Sequence, residues 1–184
     1  MSVAVRIVTP RLVLRRARSG DLDALHEIMS DMRAMRYWSN PPHASREVTE
    51  TLLTAIISRN ERDADDYMIE ENGRLIGKAG AWRLPEVGFL LHPDRWGRGF
   101  ALEAMEAVIP HLFARHDLPE LTADVDPRNV ASIRLLTGLG FVETGRAERT
   151  MRWGEEWCDS IYFALSREGR HRRVPSSEGV DTSA

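Results

Sequence analysis

The sequence lacks several features that would each point to a particular class of protein. Its 184 residues include a single cysteine, Cys158, so no disulfide can form within the chain, as is usual in a reducing compartment. It has no apolar run long enough to cross a bilayer, and its first residues lack the continuous apolar segment of a secretory signal. We therefore expect a cytoplasmic protein that does not act on a membrane.

A strong excess of charge is also missing. The formal net charge is −3 and the isoelectric point is about 6.1, so no global basic field attracts nucleic acid. The six histidines show no spacing typical of metal ligands, and we expect neither a nucleic-acid partner nor a metal. The arginines between Arg6 and Arg18 alternate with apolar residues, and we interpret them mostly as the solvent face of a strand.

Length and composition fit one compact domain. Hydrophobic residues make up 42% and charged residues 29% of the chain, which is ordinary for a globular protein that is large enough to bury a core. From about Arg170 onward the sequence is polar and has no periodic apolar residues. We therefore predict a single domain over residues 1–169 and a disordered tail over residues 170–184.

Hydrophobic periodicity and turn residues predict a strand, two helices, three strands, a helix, a strand, a helix and two strands, in that order. Ser19 and Ser45 are the predicted N-caps of the first two helices, and Asn72-Gly73 is typical of a tight hairpin. Asp126-Pro127 predicts the start of the last helix, and Pro110 predicts a kink in the helix before it. This order indicates an α/β domain with a mixed, mostly antiparallel sheet flanked by helices.

The segment from Glu86 to Met105 has the pattern of a strand, a polar loop, a glycine-rich turn and a helix. A helix N-terminus presents unpaired N–H groups and a partial positive charge, and Gly97 and Gly99 would let a phosphate approach the backbone. The nucleotide P-loop pattern is absent, and Leu102 stands where the dinucleotide motif has its third glycine. On its own, the segment is equally compatible with a strand-to-helix turn that merely needs flexible glycines.

A second segment, DPRNVAS from Asp126 to Ser132, leads into GLGF from Gly138 to Phe141. In this order and with this separation, the two segments resemble the GNAT acetyltransferase superfamily. They are most similar to its RimJ/RimL branch, the ribosomal-protein N-terminal acetyltransferases and their many relatives that modify small molecules. The resemblance covers nearly the whole chain, including the opening TPRLVLRRARSGDLDAL and the closing WCDSIYFALSRE. It is fairly specific for the superfamily and poorly specific for the substrate.

The resemblance implies a GNAT-like fold and acetyl-CoA as co-substrate, without a metal. The backbone N–H groups from Gly97 to Leu102 are expected to bind the CoA pyrophosphate. Trp96 departs from the glutamine or arginine that is usual at the first motif position, which weakens the side-chain contact. The pyrophosphate motif falls on Trp96, Gly97, Arg98, Gly99, Phe100 and Ala101. The end of the preceding strand is expected to pair with the pantetheine arm like an added strand, through Phe89, Leu90 and Leu91.

The resemblance also suggests how the leaving group is handled. Asn129 is expected to bind the pantetheine arm or to order a water near the thioester. Many members of the superfamily protonate the departing thiolate with a tyrosine seven residues later, where this chain has Leu136. Ser132 lies on nearly the same helix face as Asn129 and is the candidate acid. The alternative is a serine that bonds its own helix backbone.

An attacking amine must lose a proton to a base, or to a water chain that leads to one. Glu86 begins the strand that carries the cofactor, where related enzymes often have a glutamate, and a solvated strand-end carboxylate is the equal alternative. His92 is the competing base, although we favour a structural role for it. Direct transfer in a ternary complex needs no nucleophile, so we interpret Cys158 as a packed strand residue.

The expected activity is transfer of an acetyl group from acetyl-CoA to a primary amine, either a protein N-terminus or a small molecule. The alternatives are a non-catalytic acyl-CoA-binding module and a purely structural domain. An exposed aromatic hairpin is compatible with a homodimer, and it would also present carboxylates to a cationic amine. Four tryptophans are candidates for an acceptor pocket or, more commonly, for packing: Trp38, Trp82, Trp153 and Trp157.

Overall fold

The computed structural model of the protein describes residues 6–60 and 64–171. The strands are β1 (Arg6–Val8), β2 (Val13–Arg15), β3 (Asp65–Glu71), β4 (Arg74–Arg83), β5 (Glu86–Leu91), β6 (Glu120–Val125), β7 (Val142–Trp153) and β8 (Glu156–Ser166). The helices are α1 (Leu22–Met29), α2 (Met32–Met35), α3 (Arg46–Asn60), α4 (Phe100–Arg115), α5 (Val130–Leu139) and α6 (Arg167–His171). None of these helices combines the length and apolarity that a membrane span needs.

The strands form one sheet in the order β1-β2-β3-β4-β5-β6-β8-β7. Every neighbouring pair is antiparallel except β5 and β6, which run parallel. In the described part of the chain these two strands share one Cα pair, Glu86 with Thr122, and then separate. The mixed, mostly antiparallel sheet is therefore confirmed, and it opens where its two halves meet.

Helices cover both faces of the sheet. Helices α4 and α5 pack on one face, where Leu121, Ala123 and Val125 of β6 join the larger apolar core. Helices α1 and α3 pack on the other face with a smaller core that includes Leu90 of β5. Because side chains alternate along a strand, Asp124 of β6 points to this second face, beside the opening.

Most predicted elements match, and the differences have local causes. The sequence pattern predicts strands over Arg74–Arg83 and Glu86–Leu91 and a helix from about Phe100 to Arg115, which are the bounds of β4, β5 and α4, and α4 continues through Pro110. Helix α5 begins at Val130, later than predicted from Asp126-Pro127, because the Asp126 carboxylate accepts a hydrogen bond from the Arg128 N–H and closes a turn there. Ser19 lies inside a short 3₁₀ turn ahead of α1 rather than capping that helix.

Among the described residues, three elements were not predicted by periodicity, namely β1, α2 and α6. Each is five residues or shorter, too short for a hydrophobic repeat to show. Helix α6 extends to His171, past the predicted domain boundary. The remainder of the predicted tail, residues 172–184, lies outside the described residues.

Two of the five arginines between Arg6 and Arg18 are more buried than we predicted, whereas the other three are exposed. Arg15 is only 14% exposed and forms ion pairs with Asp21 and Glu70. Arg16 pairs with Asp65, which is fully buried and also binds Arg115 at 3.0 Å and His116 at 2.6 Å. The alternation of arginines with apolar residues had predicted a solvent face, but the Arg15 and Arg16 guanidiniums neutralise buried carboxylates.

Asp65 should make the fold sensitive to acid. Burial alone would raise the pKa of this carboxyl, but hydrogen bonds and charges from His116 and Arg16 outweigh it and lower the pKa. The ion pairs therefore stabilise the fold above about pH 4, the unfolded pKa, and this stability is lost as pH falls through the lower folded pKa. Asp65→Asn should remove about 2 kcal/mol at pH 7 and flatten this dependence.

Urea denaturation between pH 2 and 7 measures this effect. The control is Asp117→Asn, which changes a fully exposed carboxylate and should alter the free energy of unfolding by less than about 0.5 kcal/mol. An Asp65→Asn protein with unchanged stability at pH 7 would show that the cluster contributes nothing to the fold.

Candidate functional site

A cavity of about 560 Å³ opens where β5 and β6 separate. Its walls come from α2 and the loop after it, the end of β5, the turn into α4, and the start of α5. The predicted cofactor residues that line it are Phe89, Leu90, Leu91, Trp96, Gly97, Gly99, Phe100, Ala101, Leu102, Asn129 and Ser132. The structure therefore brings the two sequence segments together around one space.

The turn into α4 has the geometry of an anion site. Gly97 and Gly99 have φ angles of +70° and +77°, in the left-handed region that favours glycine. Gly99 is the N-cap of α4, so the N–H groups of the first helical turn face the cavity beside it. A Cβ at Gly97 would meet nothing within 4 Å. The backbone here is thus open to an anion such as a phosphate.

The N-terminal segment is clamped onto this turn. Glu103, in the first turn of α4, accepts hydrogen bonds from the Thr9 hydroxyl at 2.6 Å and from the Arg11 side chain at 2.6 Å. Burial would raise the pKa of Glu103, but these bonds outweigh it and lower the pKa. Arg11 also donates to the Arg98 carbonyl at 2.8 Å. The loop conformation is therefore fixed from outside the cavity.

Trp96 has a role that the motif comparison did not predict. Its indole N–H donates to the Leu91 carbonyl at 3.0 Å, which ties the glycine turn to the end of β5. The ring remains half exposed and lines the cavity. Trp96 thus fixes the turn from a position where the superfamily usually has a glutamine or arginine.

Trp96→Phe should weaken ligand binding without abolishing it. The phenyl ring keeps most of the apolar surface, but the hydrogen bond, worth about 1 kcal/mol, is lost. We expect the affinity for CoA to fall about fivefold, as measured by calorimetry. Tyr162→Phe, which removes a polar group from a half-exposed aromatic residue that lines neither cavity, is the control and should bind CoA normally.

The sequence analysis did not predict the arginines that line the larger cavity. Arg33, Arg36 and Arg95 line it, and each is held by an acid: Asp31, Glu156 and Glu71, respectively. Arg98, which the motif placed in the site, does not line the cavity, because its side chain turns to Glu71 at 3.3 Å. No spacing rule marks the first two, since α2 is too short to show a pattern.

Asn129 and Ser132 stand at the start of α5. Asn129 is the N-cap, and its carboxamide oxygen accepts the Ser132 backbone N–H at 3.2 Å. The Asn129 NH₂ group and the Ser132 hydroxyl form no hydrogen bond with any residue that the structure describes. The serine hydroxyl is therefore not bonded to its own helix. Leu136, at the usual tyrosine position, is fully buried.

A second cavity of about 210 Å³ adjoins the first on the α3 side of β5 and β6. The two share Tyr37, Trp38, Phe89, Asn129 and Ser132. Its charged lining residues are Asp66, Lys78, Glu86 and Asp124, so three carboxylates face one ammonium. The larger cavity is lined by cations and the smaller one has an excess of anions, and they meet at Asn129 and Ser132.

The two candidate bases lie in different places. Glu86 lines the smaller cavity at its margin, where its side chain is 41% exposed and lies 3.7 Å from Arg83. His92 lines neither cavity. Its ring accepts the Asp94 N–H at 3.2 Å and caps a short 3₁₀ turn, as expected for a structural residue.

Of the four tryptophans that were candidates for an acceptor pocket, two line a cavity and two do not. Trp38 and Trp82 line the smaller cavity. Trp153 donates to the Met35 carbonyl at 3.1 Å, and Trp157 is outside both cavities. Glu156 of their hairpin is neutralised by Arg128 and Arg36, so it offers no free carboxylate to an amine.

Cys158 is buried, and the Arg128 guanidinium donates to its sulfur at 3.3 Å. It lines neither cavity. Across residues 6–60 and 64–171 no group of three or more His, Cys, Asp or Glu side chains has an arrangement that could hold a metal ion.

Comparison with protein families identifies the kind of protein to which this site belongs. Residues 11–142 match the acetyltransferase (GNAT) domain. The chain belongs to the GNAT acetyltransferase family. It is an N-acetyltransferase, and both halves of the larger cavity, the glycine turn and the Asn129 region, lie within the GNAT match.

Known relatives agree with this assignment at low identity. YnaD of Bacillus subtilis, an uncharacterized N-acetyltransferase, is 26% identical over 172 residues, which covers 89% of this chain and 98% of YnaD. Spermidine N(1)-acetyltransferase of Vibrio cholerae is 26% identical over 142 residues, 73% of this chain and 81% of that enzyme. The fold matches that of RimL, a ribosomal L7/L12 alpha-N-protein acetyltransferase solved with coenzyme A, with a TM-score of 0.78 and 21% identity over 88% of this chain and 98% of RimL.

Proposed function

We propose that this GNAT enzyme transfers an acetyl group from acetyl-CoA to a primary amine by direct attack in a ternary complex. The observation that carries the proposal is the junction of two cavities of opposite charge at Asn129 and Ser132. Phosphates of the donor suit the arginine-lined cavity, and an ammonium suits the acidic one. The thioester would lie between them.

The donor is held mainly by backbone. The N–H groups from Gly97 to Leu102 bind the pyrophosphate, and the edge of β5 from Phe89 to Leu91 pairs with the pantetheine arm. The sheet supports this pairing with the pantetheine arm, because β6 has already separated from β5 along Phe89 to Leu91. The Asn129 NH₂ group donates to the pantetheine arm or to a water near the thioester.

Glu86 in the smaller cavity and Ser132 at the junction handle the protons. One proton of the ammonium passes to Glu86, directly or through water, and the neutral nitrogen attacks the thioester carbonyl carbon. As the carbon–sulfur bond breaks, Ser132 donates its proton to the thiolate. Ser132 then recovers a proton from the nitrogen of the new amide, which keeps its third proton when the acceptor is a primary amine. No covalent enzyme intermediate is needed.

The acceptor is a cationic amine, supplied by a small molecule or a protein N-terminus. Among the similar proteins, RimL is named as an alpha-N-protein acetyltransferase, and the Vibrio cholerae enzyme is named for the small molecule spermidine. The fold match with RimL supports the RimJ/RimL branch. A homodimer stays a prediction from the sequence.

Two assays test the proposal. Calorimetry with CoA should show binding in the micromolar range that is usual for co-substrates, and absence of binding at millimolar CoA would overturn the donor assignment. Thiol release from acetyl-CoA should rise with at least one of three probes: butylamine, spermidine or a tripeptide with a free N-terminus. Binding of CoA without thiol release from any probe would instead support the acyl-CoA-binding module.

A further inference from the structure

Asp124 is a carboxylate of the smaller cavity that the reaction scheme above leaves without a role. From the pair Glu86–Thr122, two residues along each parallel strand lead to Gly88 on β5 and Asp124 on β6. These positions are on the same face and at the same height, on opposite sides of the gap where the strands separate. On its β5 side Asp124 therefore borders the opening, while on the other side β6 stays paired with β8.

The opposite side of the gap has no side chain. Gly88 pairs with Gly80, which pairs with Asp66, so two glycines form this row of the sheet between the two acids. A Cβ at Gly88 would come within 3.7 Å of the Trp38 ring. The space beside Asp124 is therefore available to a ligand with an aromatic wall next to it.

In the described part of the chain, no cation neutralises Asp124. Lys78 is bonded to Asp66 at 2.6 Å, and Glu86 lies near Arg83, but no arginine, lysine or histidine among residues 6–60 and 64–171 forms an ion pair with Asp124. Its hydrogen-bond partner is Ser160. Ser160 is buried and is itself held by the Thr150 hydroxyl at 2.7 Å.

We propose that Asp124 binds the ammonium group of the acceptor and takes its first proton, which makes the enzyme selective for amines that arrive as cations. The inference rests on the proposed function and sharpens it, with Glu86 passing the proton on to solvent. In the transfer, one N–H bond breaks and one O–H bond forms on the Asp124 carboxyl. The freed lone pair on nitrogen then forms the bond to the acetyl carbon.

The electrostatics favour a carboxyl suited to this task. Burial raises the pKa of Asp124, and the hydrogen bond from Ser160 offsets part of that rise. The other titratable groups around it are Tyr162 on β8, its cross-strand neighbour, and Asp66, Lys78, Glu86 and Tyr37 across the cavity. A raised pKa brings a base closer to the working pH, which favours proton transfer.

Asp124→Asn tests the inference in thiol-release assays with butylamine, spermidine and the tripeptide. For the fastest probe, kcat/KM should fall at least tenfold at pH 7, with the CoA affinity unchanged by calorimetry. The pH profile should also change form. Wild-type kcat/KM should reach a plateau above the Asp124 pKa, whereas the variant binds only free amine, so its rate should rise tenfold per pH unit. Ser160→Ala removes the hydrogen bond that lowers the Asp124 pKa. The pH at which kcat/KM falls off on the acid side should therefore be higher than in the wild type.

Glu120→Gln, on the same strand but outside both cavities, is the matched control and should leave every parameter unchanged. If Asp124→Asn keeps the wild-type rate and plateau, the inference is wrong while the proposed function stands. If the variant loses CoA affinity or unfolds at a lower temperature, Asp124 is a structural residue and the inference is wrong. If wild-type protein binds CoA but acetylates none of the probes, the proposed function and this inference fail together.

Discussion

Gly99→Val is expected to reduce the affinity for CoA at least 100-fold, equivalent to about 2.7 kcal/mol. Gly99 has φ +77° at the N-cap of α4, and a β-branched residue is strongly disfavoured there. A Cβ at this position would also come within 3.4 Å of the Arg11 guanidinium, which holds the turn through the Arg98 carbonyl. Titration calorimetry measures the loss directly, and thiol release should decline in parallel at low acetyl-CoA.

Backbone strain must be separated from the loss of the phosphate site. Gly73, in the β3–β4 turn, has φ +79° and no atom within 4 Å of a Cβ, so Gly73→Val introduces the same strain away from the turn into α4. This control should lose stability and keep its affinity for CoA. Equal loss of affinity in both variants would show that the glycine turn binds no phosphate.

Ser132→Ala is expected to lower kcat at least 100-fold, as is usual when a proton donor is removed. The Ser132 hydroxyl lines both cavities and has no partner in the described structure, and the usual tyrosine position holds the buried Leu136. Because the serine acts on the departing thiolate, KM for the amine and the affinity for CoA should change little. Steady-state kinetics with the fastest probe amine separates these parameters.

The control for Ser132→Ala is Thr137→Ala, an exposed hydroxyl on the same helix. Both variants remove one hydroxyl from α5, but only Ser132 lines the junction of the cavities. A kcat for Ser132→Ala within twofold of wild type would exclude the serine as the acid and direct attention to a bound water.

The sequence predicted the parts of the site that depend on local backbone chemistry. Glycines at positive φ and a helix N-terminus are encoded within a few residues, so the turn from Gly97 to Ala101 was found from its pattern. The helix predicted after the glycine-rich turn is α4. The resemblance to the superfamily then selected Asn129 and Ser132, and the structure places both at the junction.

Contacts between distant segments could not be read from the chain. Arg33 and Arg36 reach the larger cavity because α2, a four-residue helix, folds against the β7–β8 hairpin. In the sequence, Asp124 is simply a polar residue in a short strand, and its position beside the opening depends on the separation of β5 from β6. The cluster around Asp65 joins β3 to the end of α4 over about fifty residues of sequence, so alternation alone misread Arg16.

The two cavities have five lining residues in common, and this limited overlap bears on how such enzymes diversify. Most of the smaller cavity is built from residues of β4, β5 and β6 and from the loop after α2. Substitutions there leave the glycine turn and its N–H groups untouched. A lineage can therefore exchange one acceptor for another while inheriting the donor half intact, so relatives with similar folds need not share a substrate.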